Sequence, residues 1–291
     1  MKKTSQLRQL LAQKGIIVCP GVYDCLSAKL AEKAGFQMVL ITGAGVAASI
    51  LGYPDVGITT MTEVLTQTRN IVRSIDIPVF ADCDTGYGNP LNVYRTIQEF
   101  EDAGVAGLFL EDQTSPKRCG HFEGKQLISQ GEMIKKIEAA LDARRDPDLV
   151  IMARTDARAV SGLDAAIERA RAYVKAGADM IFIEAPQSVE ELRKVGRSVD
   201  VPTMANLVEG GKTPIVSVRE LEEMGFKFAS FSGSAQKMAI RAMQELFDTL
   251  KNTGALDRVM NKITPQSERS ELLGLPKFYE MDKKYAAPSG S

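Results

Sequence analysis

The chain has 291 residues, 44% hydrophobic and 25% charged, with 36 basic and 37 acidic side chains for a formal net charge of −1. That balance excludes an overall electrostatic pull toward nucleic acid or an anionic membrane, and the apolar content suffices for the core of one α/β barrel. Met1-Lys2-Lys3 resembles the basic start of a leader, but Arg8, Gln13 and Lys14 interrupt any apolar stretch behind it. Nothing approaches the roughly 20 apolar residues of a membrane span, so a cytoplasmic protein is expected. Cys19, Cys25, Cys83 and Cys119 lie far apart without C-x-x-C spacing, which predicts free thiols in a reducing compartment.

In chain order, short apolar runs alternate with amphipathic stretches of helical period. The runs predict strands at 16–19, 38–42, 79–84, 107–111, 150–156, 180–184, 203–206 and 226–232. Several are apolar at consecutive positions, as in parallel strands buried on both faces. Helical stretches close on Lys33-Ala34-Gly35, Asp102-Ala103-Gly104, Lys175-Ala176-Gly177 and Met224-Gly225, where glycine suits the left-handed end of a helix. Eight unbroken strand–helix units predict a (β/α)8 barrel over residues 1–234, with an open doubly wound sheet as the alternative. Residues 235–291 have no strand to return to. They are expected to form a C-terminal helical arm of the same domain, with 286–291 disordered.

Polar residues stand at the strand exits: Asp82 and Asp84, Glu111, Arg154 and Asp156, Glu184, then Asn206. Such groups are costly to bury unpaired, and in a barrel these ends converge on the rim where active sites lie. Period-two geometry sends Asp82 and Asp84 to one side. Their mutual repulsion suits a hard cation such as Mg²⁺, with Glu111 and the loop residue Asp55 as further ligands. Capping of the Thr85–Asn89 turn is the structural alternative for the pair.

Lys117-Arg118-Cys119-Gly120-His121 surrounds one thiol with two cations and the only histidine of the chain. These neighbours are expected to lower the thiol pKa and to fit Cys119 for proton donation to a carbanion. Gly43-Ala44-Gly45-Val46-Ala47-Ala48 matches G-x-G-x-x-A, but it follows the second strand and lacks the acidic residue about 20 positions on. Its amides are read as holding a substrate carboxylate or carbonyl instead. Asn206 opens a glycine-bearing loop, Glu209-Gly210-Gly211, after the seventh strand.

Taken together, Pro20–Asp24, Leu51–Gly57, Asp82–Asn89, Glu111-Asp112-Gln113, Lys117–His121, Ala153–Ala157 and Asn206–Pro214 resemble the isocitrate lyase/phosphoenolpyruvate mutase superfamily. The Lys-Arg-Cys-Gly-His loop resembles its carbon–carbon lyase branch, which includes the methylisocitrate and dimethylmalate lyases. The resemblance implies a barrel with its last helix swapped between subunits of a homotetramer, a mobile cysteine-bearing lid and a small di- or tricarboxylate substrate. It implies Mg²⁺, with Mn²⁺ as a substitute, held by Asp82, Asp84, Asp55 and Glu111 partly through water. Cys119 would protonate the departing acid, with Lys117, Arg118 and His121 tuning it. Thr42, Gly43, Ala44, Arg154, Glu184 and Asn206 would bind substrate. The implied reaction releases pyruvate with propionate from 2,3-dimethylmalate, or with succinate from 2-methylisocitrate. Oxaloacetate hydrolysis or decarboxylation is the alternative; phosphonate chemistry and a catalytically silent subunit are more distant ones.

The chain departs from the methylisocitrate lyases at Leu40, where they carry a tyrosine, and at Phe231-Ser232-Gly233, where they carry a bulkier Tyr-Pro segment. Its Glu209-Gly210-Gly211 loop is closer to dimethylmalate lyase. Arg269, by contrast, falls where methylisocitrate lyases have an arginine able to meet a third carboxylate.

Overall fold

The computed structural model describes residues 1–286; residues 287–291, for which disorder is expected, lie outside the described residues. Eight parallel strands close into one barrel in sequence order: β1 (Ile17–Val22), β2 (Val39–Ile41), β3 (Val79–Asp82), β4 (Gly107–Glu111), β5 (Val150–Thr155), β6 (Met180–Ile183), β7 (Thr203–Asn206) and β8 (Phe228–Phe231). Closure through β1–β8 pairing rules out the open sheet. All eight predicted strands are present. The first is longer than expected, because Pro20-Gly21 reads as a break yet sits where β1 changes partner. Residues Ile17 to Pro20 pair with β8, and Gly21 and Val22 pair with β2.

Alternation along each strand divides the core in two. Val39, Ile41, Ala81, Leu108, Ile151, Ile181 and Ala229 pack outward under the helices. Leu40, Phe80, Phe109, Met152, Phe182, Met204 and Phe228 fill the barrel interior. Two residues further along the same strands, the next inward positions are Thr42, Asp82, Glu111, Arg154, Glu184, Asn206 and Ser230. A side-chain period of two therefore places a polar ring directly above a hydrophobic floor. Leu40 belongs to that floor, beneath Thr42. Phe80 meets Phe228 edge-on, with centroids 6.1 Å apart, and Phe109 meets Phe182 at 5.9 Å. Gly107 makes room for this layer: a Cβ there would lie 2.4 Å from the Phe80 ring.

The far end of the barrel is plugged by a helix that the strand pattern does not announce. Lys3–Ala12 buries Leu7 and Leu10 in the interior cluster, while Arg8 donates to the carbonyls of Asp148 and Leu149 and pairs with Asp179.

The chain divides into two compact units, Met1–Gln236 and the remainder from Lys237. The helix Ser234–Thr253 starts in the first unit and continues into the second, which also holds the helices Gln266–Leu272 and Leu275–Tyr285. Ile240, Met243, Phe247 and Leu250 form an exposed apolar stripe at heptad spacing on the first of these helices. No helix among the described residues is long and apolar enough to cross a membrane.

Candidate active site

The polar ring is built around two cations. Arg154, at the end of β5, sits on the aromatic floor with its guanidinium carbon 5.1 Å from the Phe182 ring centre. It pairs with Glu111 at 3.2 Å, Asp156 at 2.9 Å and Glu184 at 3.3 Å. Lys117 reaches in from the loop after β4, is almost fully buried, and bridges Asp55 at 2.6 Å and Asp84 at 2.8 Å. Burial alone would lower the Lys117 ammonium, but Asp84, Glu111, Asp55 and Asp82 together raise it well above an ordinary lysine.

Asp82 is committed to backbone: its oxygens accept from the amides of Gly43 at 3.1 Å and Asp84 at 2.9 Å. Neither amide belongs to the Thr85–Asn89 turn, and the Gly43 amide expected to face substrate is already spent. Ala44 is exposed in the first turn of the helix Gly43–Ile50, where amides have no partner within the helix. Asp84 takes a left-handed conformation, φ 48°, uncommon outside glycine, and directs its carboxylate to Lys117.

Burial, then repulsion from Asp84, pushes Asp82 up to about 6. Burial also drives Glu111 well above the usual carboxylate range, against the pull of Arg154 and Lys117. Glu111 Oε1 is buried without a partner, while Glu111 Oε2 and Asp84 Oδ1 are held only by their ion pairs to Arg154 and Lys117. Six carboxylates (Asp55, Asp82, Asp84, Glu111, Asp156 and Glu184) thus share two permanent cations. Among the described residues, no three Asp, Glu, His or Cys side chains converge closely enough to coordinate an ion directly. The donor chemistry, buried hard oxygens in surplus over cations with Glu111 Oε1 unpartnered, fits a divalent cation reached mainly through water.

The loop 117–121 lies across this ring. Gly120 packs so tightly on it that a Cβ would fall 2.4 Å from Glu184 Cγ and 2.6 Å from Arg154 Nη2. His121 Nδ1 accepts the amide of Lys212 at 3.1 Å. A neutral imidazole bound this way carries its proton on Nε2, which lies 3.6 Å from Glu184 Oε1 and makes no hydrogen bond. Burial lowers the His121 pKa, keeping the ring neutral.

The expected activation of Cys119 is corrected by this geometry. Burial pushes the thiol up, the His121 backbone N–H offsets only part of the rise, and Asp55 and Glu184 add to it. Neither flanking cation serves the sulfur: Lys117 is spent on Asp55 and Asp84, and Arg118 is exposed and donates to the Glu123 carbonyl at 3.0 Å. Arg118 is therefore not brought into the ring. Arg269 is exposed on Gln266–Leu272 and belongs to the second unit, not to the barrel.

Several ring residues were not singled out as site residues from sequence. Asp156 is the closest partner of Arg154 and was legible as Arg-x-Asp at a strand exit. The Tyr87 hydroxyl is buried and unpartnered, and its proton is held by burial and by Asp84. Ser230 sits beside Asn206 across the β7–β8 register, and both side-chain oxygens are buried without partners. Lys125 holds the loop by donating to the carbonyls of Gly120 and Phe122.

The phosphoenolpyruvate phosphomutase family model matches residues 7–251. The chain belongs to the phosphoenolpyruvate mutase/isocitrate lyase superfamily. It is 45% identical to the 2,3-dimethylmalate lyase of Eubacterium barkeri, over 98% of this chain and 99% of that protein. It is 42% identical to a 2-methylisocitrate lyase of Aeropyrum pernix, over 97% and 90%. Among solved structures, an oxaloacetate acetylhydrolase bound to 3,3-difluorooxalacetate superposes with a TM-score of 0.93 at 37% identity, covering 99% of both chains. Its lyase relatives make this superfamily member an enzyme of the carbon–carbon lyase kind.

Gly120→Ala is expected to lift the loop off Glu184 and Arg154, lowering kcat/KM by about 10²-fold while the melting temperature stays near that of the parent. Steady-state kinetics beside calorimetric melting checks it; undiminished turnover would show that the loop need not rest on the ring.

Proposed function

We propose that the chain is a Mg²⁺-dependent carbon–carbon lyase that cleaves 2,3-dimethylmalate to pyruvate and propionate. One observation carries this reading: a half-buried thiol on a loop laid across a ring of carboxylates and one arginine. The dimethylmalate lyase at 45% identity supports the substrate, as does the absorption of Arg154 and Lys117 by ring carboxylates. That absorption leaves a third substrate carboxylate poorly served by either cation.

In this reading Asp84, Asp82, Asp55 and Glu111 would hold the cation, which would supply Lewis-acid polarisation of the 2-hydroxy acid. Arg154, Thr42 and the first-turn amide of Ala44 hold that end of the substrate; Glu184 and Asn206 orient the other. The hydroxyl proton passes to a ring carboxylate. The C2–C3 bond breaks, C2 becomes the carbonyl of pyruvate, and the electron pair spreads into the departing carboxylate. Cys119 then gives its thiol proton to C3, with the neutral His121 alongside. A thiol kept protonated at neutral pH suits this step, and the loop excludes bulk water as a competing proton source.

A second reading, hydrolysis of oxaloacetate, is favoured by the likeness to the acetylhydrolase and by the neutral β7–β8 side of the ring, where Asn206 and Ser230 offer only hydrogen bonds. We also propose a homotetramer with a swapped C-terminal helix, on the strength of the exposed stripe from Ile240 to Leu250; light scattering should give four subunits, and a monomer would refute it.

Purified protein with Mg²⁺ should release pyruvate and propionate from 2,3-dimethylmalate, and Cys119→Ser should lose at least about 10²-fold in kcat. Pyruvate with succinate from 2-methylisocitrate would replace 2,3-dimethylmalate as the substrate. Oxalate with acetate from oxaloacetate alone would replace the lyase by the second reading.

The sign of the pH dependence follows from Asp82. Its folded pKa, about 6, lies above the ordinary 3.8, so the fold keeps a proton that the unfolded chain releases between these values. The stability contributed by this proton is lost as pH rises through about 6, where the ionised pair favours a cation. Thermal stabilisation by Mg²⁺ should therefore be full at pH 8 and fade below pH 6, with apparent affinity falling about tenfold per pH unit for each proton displaced. Equal stabilisation at pH 8 and pH 5 would remove Asp82 from the cation site.

A further inference from the structure

Glu111 and Asp112 are consecutive at the end of β4 and face opposite ways. Glu111 points into the ring toward Arg154, whereas Asp112 points outward, fully buried between the barrel and the helix Leu163–Lys175. A carboxylate so buried is costly unless its lone pairs are filled, and here they are. Oδ2 accepts from the Thr155 hydroxyl at 2.7 Å, the Tyr173 hydroxyl at 2.8 Å and Arg169 Nη1 at 3.1 Å; Oδ1 accepts from the Asp156 amide at 3.0 Å. Arg169 also donates to the Tyr173 hydroxyl at 3.1 Å, so the two groups behind Asp112 are tied to each other.

The consequence lies on the other side of the strand. Thr155 and Asp156 are the last residue of β5 and the one after it, and Arg154 precedes them. Asp112 pins this exit at two points, one hydroxyl and one amide. The pinned Asp156 carboxylate then takes the guanidinium of Arg154 edge-on, at 2.9 Å from Nε and 3.1 Å from Nη2. That bidentate contact fixes the guanidinium plane and leaves Nη1 turned to Glu111.

We propose that Asp112, backed by Arg169 and Tyr173, is a positioning residue: it clamps the Thr155–Asp156 turn and thereby aims Arg154 at the bound carboxylate. It touches no substrate itself, and the assignment rests on the proposed role of Arg154 in holding the acid. Releasing the clamp lets Asp156 rotate and the guanidinium tilt, and misplacement on the order of 1 Å costs up to about 10²-fold in such sites.

The test is a double-mutant cycle on the full chain with Mg²⁺, read as calorimetric affinity for oxalate, a planar dicarboxylate probe, and as KM against kcat for the acid turned over. Arg154→Lys should weaken oxalate strongly. Asp112→Asn keeps an acceptor for the Asp156 amide but sets an amide N–H against Arg169; it should weaken oxalate about tenfold and act mainly on KM. The double variant should bind no worse than Arg154→Lys alone, because Asp112 acts through Arg154. Multiplying effects would mark Asp112 as a structural residue and overturn the proposal while leaving the role of Arg154 intact. An inert Arg154→Lys would overturn both. Should Asp112→Asn not fold, Thr155→Val and Thr155→Ser decide: the valine should weaken oxalate about tenfold and the serine, which keeps the hydroxyl, should bind like the parent. Equal affinities in the two would overturn the clamp.

Discussion

The surplus of carboxylates over cations at the barrel mouth is the constraint on which the site depends. Six acids and two permanent cations cannot all be ionised in a buried ring without large repulsion, so the ring must take up protons, a metal or both. The structure shows how far internal pairing goes. Arg154 is shared three ways and Lys117 two ways, yet Glu111 Oε1 stays without a partner and its Oε2 has only the ion pair to Arg154. A site held in this condition is poised for a cation and uneasy without one. That explains why the sequence can afford a net charge near zero overall while concentrating acid at one rim.

The floor beneath makes that surplus effective. Phe80, Phe109, Phe182 and Phe228 close the barrel under the ring, and the helix Lys3–Ala12 closes the other end, so an apolar layer separates the carboxylates from the opposite face of the barrel. The low local dielectric of this layer strengthens each charge interaction above it, and the Phe182 face supports the guanidinium of Arg154 directly. Gly107 shows the cost of building such a floor, since its missing side chain is what admits the Phe80 ring.

Much of this was legible in the sequence because a parallel barrel repeats one simple code. Buried strands read as consecutive apolar runs, and the polar residue two places past an inward apolar one marks the ring: Phe80 then Asp82, Phe109 then Glu111, Met152 then Arg154, Phe182 then Glu184. The plug helix was not legible, because its apolar face is short, Leu7 and Leu10 with the partly buried Leu11, in a mostly polar segment. The first strand was cut short because Pro20-Gly21 usually ends a strand, and nothing local reveals that β1 changes partner there. Asp156 was visible but its priority was not, because which acid lies closest to Arg154 depends on the Asp112 clamp from another strand.

Cys119 shows most clearly where local reading fails. Two cations beside a thiol in sequence suggest an acidic thiol, but adjacent residues in an extended loop point in different directions. Lys117 goes down into the acids and Arg118 goes out to solvent, so the sulfur is left with burial and with the fields of Asp55 and Glu184. The outcome inverts the expected chemistry: this environment disfavours a thiolate and so disfavours a nucleophile. A buried thiol that keeps its proton becomes useful only against a base stronger than a thiolate, and a carbanion formed by bond cleavage is such a base. The physics that spoils Cys119 as a nucleophile is what suits it to finish a carbon–carbon cleavage.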